Sequence, residues 1–453
     1  MAKIAIIGAG IAGLGAAWAL HRDHDIHVFE AQAHAGGHAN TVLAPHDGET
    51  RPVDTGFLVY NTRNYPYLTR LFDLLQVPTK PSEMSFAVSL DGGRIEYAGS
   101  PRGLFARRRN MLRPRFWSMT RDIVRFFRDA PGWRHDGTDL TQPLGTLLAA
   151  RGYGTAFLDD HLLPMAAAIW SCPKAQVLDF PAHSFLAFMD NHGLLGLRDR
   201  PQWRTVDGGS REYVARLTAG FAARLHLNTP VRRLRRAAGD VHLTTDRDED
   251  RFDQVILATH GDQALALLGP DARPEEAEVL GAFGYARNDA VLHGDPGTMP
   301  RSRKVWSSWN YQGRRDGDRG RDVAVTYWLN RLQGFGGDDL FVSLNPLTPP
   351  DPARVYARFQ YDHPILDGAA VAAQRRIGAI QGQARTWFCG SYCGHGFHED
   401  GLEAGFGVAA ALGSPAPWPA TWTEAVAPAS PAAETVRPHT AASPDADPER
   451  SAA

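Results

Sequence analysis

The apolar run Ile4-Ala5-Ile6-Ile7 stops at Gly8, and a stretch spaced for a short helix follows, with Leu14, Ala16, Ala17, Trp18 and Leu20 as its apolar positions. A second run, His27-Val28-Phe29, ends on Glu30. Short continuous apolar runs mark strands buried on both faces, so the predicted order is strand, glycine turn, helix, strand, acid. Further on, Thr229–Leu234, Val241–Thr245 and Phe252–Ala258 read as three strands joined by short turns, followed by an apolar helix from Asp262 to Leu268. Signals between 65 and 200 are mainly helical, whereas 285–345 returns to β-type runs such as Asp322–Trp328 and Leu340–Leu344. A last strand, Thr386–Cys389, meets Gly390, and Asp400 can cap a helix carrying Leu402, Ala404, Phe406, Val408 and Ala411 to Gly413.

This order predicts a chain that leaves its first lobe and returns to it twice. Residues 1–64, 204–284 and 386–413 are assigned to that lobe, 65–203 to a largely helical substrate and membrane-facing lobe, and 285–385 to the substrate lobe's β-sheet. Residues 414–453, rich in Pro, Ala, Ser and Thr, are expected to be a disordered tail tacked on by Trp418 and Trp422. The fold class is α/β (α+β overall), a Rossmann-like lobe interleaved with a mixed helical and β-sheet lobe.

The glycine turn carries the first chemistry. In Gly8-x-Gly10-x-x-Gly13, Gly8 permits the tight turn, Gly10 lets backbone approach a pyrophosphate, and Gly13 lets the helix pack on the strand. Glu30 stands about twenty residues past the turn, where a carboxylate accepts ribose hydroxyls and repels a 2′-phosphate. An adenine dinucleotide site is the expectation.

Composition narrows the remainder. At 453 residues the chain exceeds one small core, and its net charge of -2 gives no overall pull towards nucleic acid. Cys172, Cys389 and Cys393 are too few for a disulfide scaffold and wrongly spaced for a zinc site, so no metal and a reducing cytoplasm are expected. Lys3 before an apolar run mimics a signal peptide, but the same residues are explained as strand plus phosphate loop. No stretch reaches the ~20 apolar residues needed to span a bilayer.

With the segments placed, the chain resembles the flavin amine oxidase and carotenoid desaturase superfamily. The matching stretches are Gly8–Gly13, Glu30–Thr41 with Gly36-Gly37, Val206-Asp-Gly208-Gly209 with the helix around Tyr213–Leu217, Val231, Ala258-Thr259 and Gly396–Gly405. Within it, Val53–Asn61, Asp190–Leu195, Trp306–Tyr311, Thr326–Gln333 and Gly394–Gly401 look most like a bacterial NAD/FAD-binding branch associated with cyclopropane-fatty-acid-synthase-like methyltransferases. The resemblance implies FAD, and there is no second Gly-x-Gly-x-x-Gly for a nicotinamide donor. It implies a cofactor-binding set of Gly8, Gly10, Ile11, Ala12, Gly13, Glu30, Ala31, Gly37, His38, Val231, Ala258, Gly390, Ser391, Glu399, Gly401 and Leu402. His34 and His38 stand where superfamily members usually carry arginines for the pyrophosphate, and Ser391 where an acid usually holds the ribityl chain. A mostly neutral imidazole lacks the two-pronged guanidinium contact, so weaker or more acid-favoured binding is expected.

The final helix should set its N-terminus under the flavin N1 and C2 carbonyl, where reduced flavin is anionic. Tyr60, His192 and His398 are the leading proton handlers; His395 and Glu399 are read as facing the same cavity. Trp170, Tyr311, Trp328, Asn330 and Lys304, one of four lysines, are further candidates. Between Arg102 and Trp133, nine arginines interleave with aromatics, and Phe116, Thr120, Ile123 and Phe127 share a helix face after Pro114. A basic amphipathic helix suits an anionic membrane surface. The expectation is an FAD-dependent oxidoreductase, cytoplasmic and peripheral on the inner membrane face, that desaturates a fatty acyl chain of a membrane lipid beside a lipid methyltransferase, with no nucleic acid partner. The alternatives are an amine oxidase on a small amine, a non-redox flavin isomerase or mutase, and an idle FAD-binding partner of the methyltransferase.

Overall fold

The computed structural model describes residues 1–170, 174–191, 194–195, 201–313 and 323–418. Cys172, His192, Trp422 and the tail beyond 418 lie outside the described residues, as does the side chain of Trp170. A five-stranded parallel sheet has the spatial order Leu225–His226, Asp25–Phe29, Lys3–Ile7, Gln254–Leu257, Thr386–Phe388. Ile4 sits opposite Ile26 on one side and Gln254 on the other. Strands from three distant stretches of chain thus share one sheet, and Ile4, Ala5, Ile6 and Val255 are fully buried.

The helix Ile11–Leu20 has only small and apolar side chains, and eight of its ten residues are buried. It lies between the sheet and the helix His398–Ala411. Two glycines set those separations: a Cβ on Gly13 would lie 2.0 Å from the Gly8 carbonyl oxygen, and one on Gly405 would lie 2.2 Å from the Ala12 carbonyl oxygen. Asp400 caps the last helix from its third position, accepting from Phe397 N at 2.8 Å, so the helix begins at His398, earlier than the apolar pattern indicates.

The second lobe is built on a seven-stranded sheet in the order Val355–Ile365, Gly284–His293, Phe341–Leu344, Val323–Trp328, Trp309–Gly313, Phe86–Leu90, Ile95–Ala98. The region read as largely helical therefore supplies two of these strands, and Phe86–Leu90 pairs parallel to Trp309–Gly313. The run Phe252–Ala258 is not one strand. Asp253 turns the chain, its carboxylate accepting from Lys3 N at 2.8 Å. Glu249–Phe252 joins Val231–Arg236 and Val241–Thr245 in a separate antiparallel sheet, and Gln254–Leu257 enters the parallel one. The helical part packs around Phe126, Phe157, Phe185 and Phe188. Among the described residues no helix is long and apolar enough to cross a membrane, and no cluster of His, Cys, Asp or Glu could hold a metal ion.

Candidate functional site

A cavity of ≈ 1890 Å³ opens at the carboxyl ends of the parallel strands and continues between the seven-stranded sheet and the helical part. Small-molecule sites usually occupy roughly 300–1,000 Å³, so this one has room for a dinucleotide and a long second molecule. Crevices at strand carboxyl ends are where open parallel sheets bind ligands.

At the strand end, Gly8 has φ +104°, a conformation that glycine adopts freely, and it delivers the chain to the helix start. Gly10 precedes the helix with no side-chain cap, leaving the first-turn N–H groups to the cavity that Ile11 and Ala12 line. A Cβ on Gly10 would meet no atom within 4 Å, which is space for a phosphate. Glu30 is anchored by Ala9 N (2.8 Å) and Gln32 N (2.9 Å), keeping lone pairs for a ribose. Ala31, Gly37, His38, Val231, Ala258, Gly390 and Ser391 line the same wall.

Histidines surround the phosphate turn. Gly36 N donates to Ala9 O at 2.7 Å and Gly37 lies against Gly10, which places His38 beside the turn. Its Nε2 is buried without a hydrogen-bond partner among the described residues, while its ring packs 4.8 Å from Tyr361 and 5.4 Å from His363. Burial, then His363, His260 and His398, hold the His38 imidazole well below its usual range. Burial pushes His363 down to about 4 and His398 to about 3. The cluster is neutral at pH 7, and the orphaned Nε2 supplies one polar contact for a phosphate oxygen. His34 and His395 also line the cavity.

His398 stacks on Phe57 with ring centres 4.0 Å apart, and its Nε2 is 2.9 Å from the Tyr213 hydroxyl. Of the expected site residues, Gly13, Gly401 and Leu402 lie behind the wall. Leu402 is fully buried against the helix Ile11–Leu20, and a Cβ on Gly401 would touch Ile11 at 3.0 Å. Glu399 points the other way: it accepts from Tyr67 N (2.6 Å) and Leu68 N (3.0 Å), capping the helix Pro66–Leu74, and burial raises it to about 8. Tyr60 is buried among Tyr65 and Phe72 rather than in the cavity. Tyr311 belongs to the sheet core, Trp328 donates to Asp339 at 2.9 Å, Asn330 accepts from Leu340 N, and Lys304 is exposed elsewhere.

The strand Val355–Ile365 carries residues that the sequence reading misses, Phe359, Tyr361 and His363, into the cavity; its alternation of apolar and polar positions was the available signal. Asp54, which stands behind the cavity, is also missed as a site residue. It accepts from Thr41 Oγ1 (2.6 Å), Ser210 N (2.8 Å), Ser210 Oγ (2.7 Å) and Gln333 Nε2 (3.1 Å), tying both lobes together behind the site.

Known proteins share this architecture. Similar solved structures include cyclohexylamine oxidase from Brevibacterium oxydans IH-35A (18% identity, 91% of this chain and 98% of that one, TM-score 0.64). A fatty acid isomerase from P. acnes that produces CLA matches at 16% identity over 89% and 97% of the two chains, TM-score 0.62. Reduced UDP-galactopyranose mutase matches at 14% identity over 91% and 95%, TM-score 0.63. At these identities the likeness is one of fold. No curated protein sequence matches the chain. The family model described as flavin containing amine oxidoreductase matches residues 11–328. With that match spanning most of the chain and the dinucleotide cradle intact, the chain belongs to the flavin containing amine oxidoreductase family and is an FAD-dependent oxidoreductase.

Proposed function

We propose that the chain dehydrogenates a fatty acyl chain of a membrane lipid. The observation that supports this is the far wall of the cavity. Leu104, Phe105, Ile123, Phe127, Met165 and Phe188 line it, and among the described residues the two carboxylates that line the cavity besides Glu30, Glu83 and Asp362, are paired with Arg331 at 2.9 Å and Arg287 at 3.2 Å. Such a wall excludes water and fits a methylene chain, and with Glu83 and Asp362 already paired to arginines it favours an uncharged chain over an ammonium group. Bound flavin supplies the hydride acceptor. His398 lines the adjoining wall, and its imidazole, held neutral by burial, is oriented by the Tyr213 hydroxyl 2.9 Å from Nε2. The lipid methyltransferase is proposed as a partner on the branch resemblance alone. The test is anaerobic mixing of flavin-loaded protein with candidate substrates. Bleaching by long-chain phospholipid and none by a panel of soluble amines supports the reading; the reverse pattern overturns it.

The histidine cluster adds a pH dependence. Folded imidazoles held below 6.5 refuse protons that the unfolded chain accepts, so the cofactor-free fold loses stability as pH falls from 6.5 towards 4. FAD binding runs the other way. A pyrophosphate beside His38 favours the protonated ring, so binding takes up protons, and affinity is expected to rise as pH falls below the usual imidazole value of 6.5. Flavin titration of apoprotein checks this, and His38→Ala is expected to flatten the dependence.

A further inference from the structure

The arginines of residues 102–133 fall into two groups. Those on the helix Pro114–Asp129 are held internally: Arg115 pairs with Asp160 at 2.7 Å, Arg121 with Asp122 at 3.2 Å and Arg128 with Asp129 at 2.7 Å, while Arg125 lies 3.9 Å over the Tyr153 ring. The helix read as a basic docking face is therefore largely neutralised. The unneutralised charge sits in the turn before it. Arg108 and Arg109 meet Lys304 in a recess of ≈ 510 Å³, whose other cations, Arg107 and Arg303, are held by Glu96 and Asp339. Arg108, Arg109 and Lys304 are exposed and have no ion-pair partner among the described residues.

Apolar exposure gathers at the same place. Among the described residues, five of the nine exposed large apolar side chains lie between residues 105 and 124: Phe105 (38%), Met111 (36%), Leu112 (84%), Trp117 (49%) and Val124 (56%). This is a patch, not the single scattered residues of an ordinary surface. Phe105 and Val124 also line the large cavity, so they stand at its mouth, and Phe105 is two residues from the first cation of the recess.

We propose that this face is a phospholipid-docking site. Arg108, Arg109 and Lys304 take the phosphate oxygens of an anionic headgroup, and Phe105, Leu112, Trp117 and Val124 enter the boundary between headgroups and acyl chains. The charge complementarity specifies an anionic bilayer as the occupant, because a protein partner would not need three uncompensated cations beside an apolar rim. The mouth of the cavity then opens into the bilayer, giving an acyl chain a route past Ile123 and Phe127. For its purpose, though not for its evidence, the proposal rests on the acyl-chain reading above.

The test is sedimentation of the full-length, flavin-loaded protein with vesicles of phosphatidylcholine alone or mixed with phosphatidylglycerol. Binding is expected only to the anionic vesicles and is expected to weaken with salt. Each cation removed should weaken it about fivefold and the triple variant R108A/R109A/K304A on the order of 100-fold, with flavin content and melting temperature unchanged. Leu112→Ser, which leaves the charge unchanged, should also weaken binding by removing an inserted apolar side chain. Equal binding to both vesicle types, no binding, or a triple variant that binds like the parent would overturn the proposal, as would inorganic phosphate occupying the recess without vesicle association. Flavin bleaching by detergent-dispersed phospholipid without vesicle binding removes the docking site and leaves the acyl reading. Vesicle binding without bleaching does the opposite.

Discussion

Gly10→Val is expected to yield a folded protein without flavin, whereas Gly13→Ala, the smaller change, is expected to damage the fold itself. Gly10 has φ -75° and ψ -178°, an extended conformation open to any residue, and its Cβ would touch no protein atom within 4 Å. A valine there enters only the space meant for phosphate, so flavin occupancy should fall at least about tenfold while the melting temperature of apoprotein stays within a few degrees. Gly13 is a helix position where propensity alone favours alanine by about 1 kcal/mol. Overlap decides the sign, because the new Cβ would lie 2.0 Å from the Gly8 carbonyl oxygen and 3.0 Å from the Ala258 Cβ. The helix must move off the strand, and loss of soluble protein or a large drop in melting temperature is expected. Absorbance spectra and thermal melts of the two variants check both outcomes.

The second large effect is expected at Asp54. Its carboxylate, 1% exposed, is the acceptor for Thr41, Ser210 and Gln333 at once, across sequence separations of up to 279 residues. Asp54→Ala strands those donors in the interior, and breaking such a buried network costs about 3–5 kcal/mol. Burial raises the Asp54 carboxyl to about 6, so the fold holds a proton more tightly than the unfolded chain, and this group's contribution to stability falls as pH rises from 3.8 through 6. Asp54→Asn removes the titration but presents an amide donor to other donors. It should be less damaging than alanine and should flatten that part of the pH profile. Urea titrations at several pH values measure both.

What could be read from sequence follows the range of the interactions involved. The first βαβ unit is legible because every determinant lies within residues 4–30: apolar runs, glycine spacing and a terminal acid. The direction of a side chain on a distant helix is not. Glu399 follows His398 by one residue, yet one faces the cavity and the other caps a helix 331 residues earlier in the chain. Its rotation is set by the packing of Gly405 against Ala12, which no local pattern records. Tyr60 shows the bias of aromatic residues towards core positions, since a polar hydroxyl says little about which cavity, if any, a ring will reach. Arg115 shares the same difficulty: its acids, Asp159 and Asp160, lie some 45 residues away, whereas Arg121 and Arg128 pair with their own neighbours Asp122 and Asp129, and together these pairs largely neutralise a helix that looks cationic in sequence. Val355–Ile365 differs, because its alternating pattern was present and local, and only its polar, half-exposed face kept it from reading as a strand.

The claim that the cavity oxidises an acyl chain is tested most directly by a single anaerobic turnover of the flavin-loaded protein with a saturated long-chain phospholipid, followed by mass spectrometry of the recovered lipid. The account predicts lipid lighter by two hydrogens, in an amount equal to the flavin reduced. Recovered lipid of unchanged mass with the flavin still oxidised would contradict it.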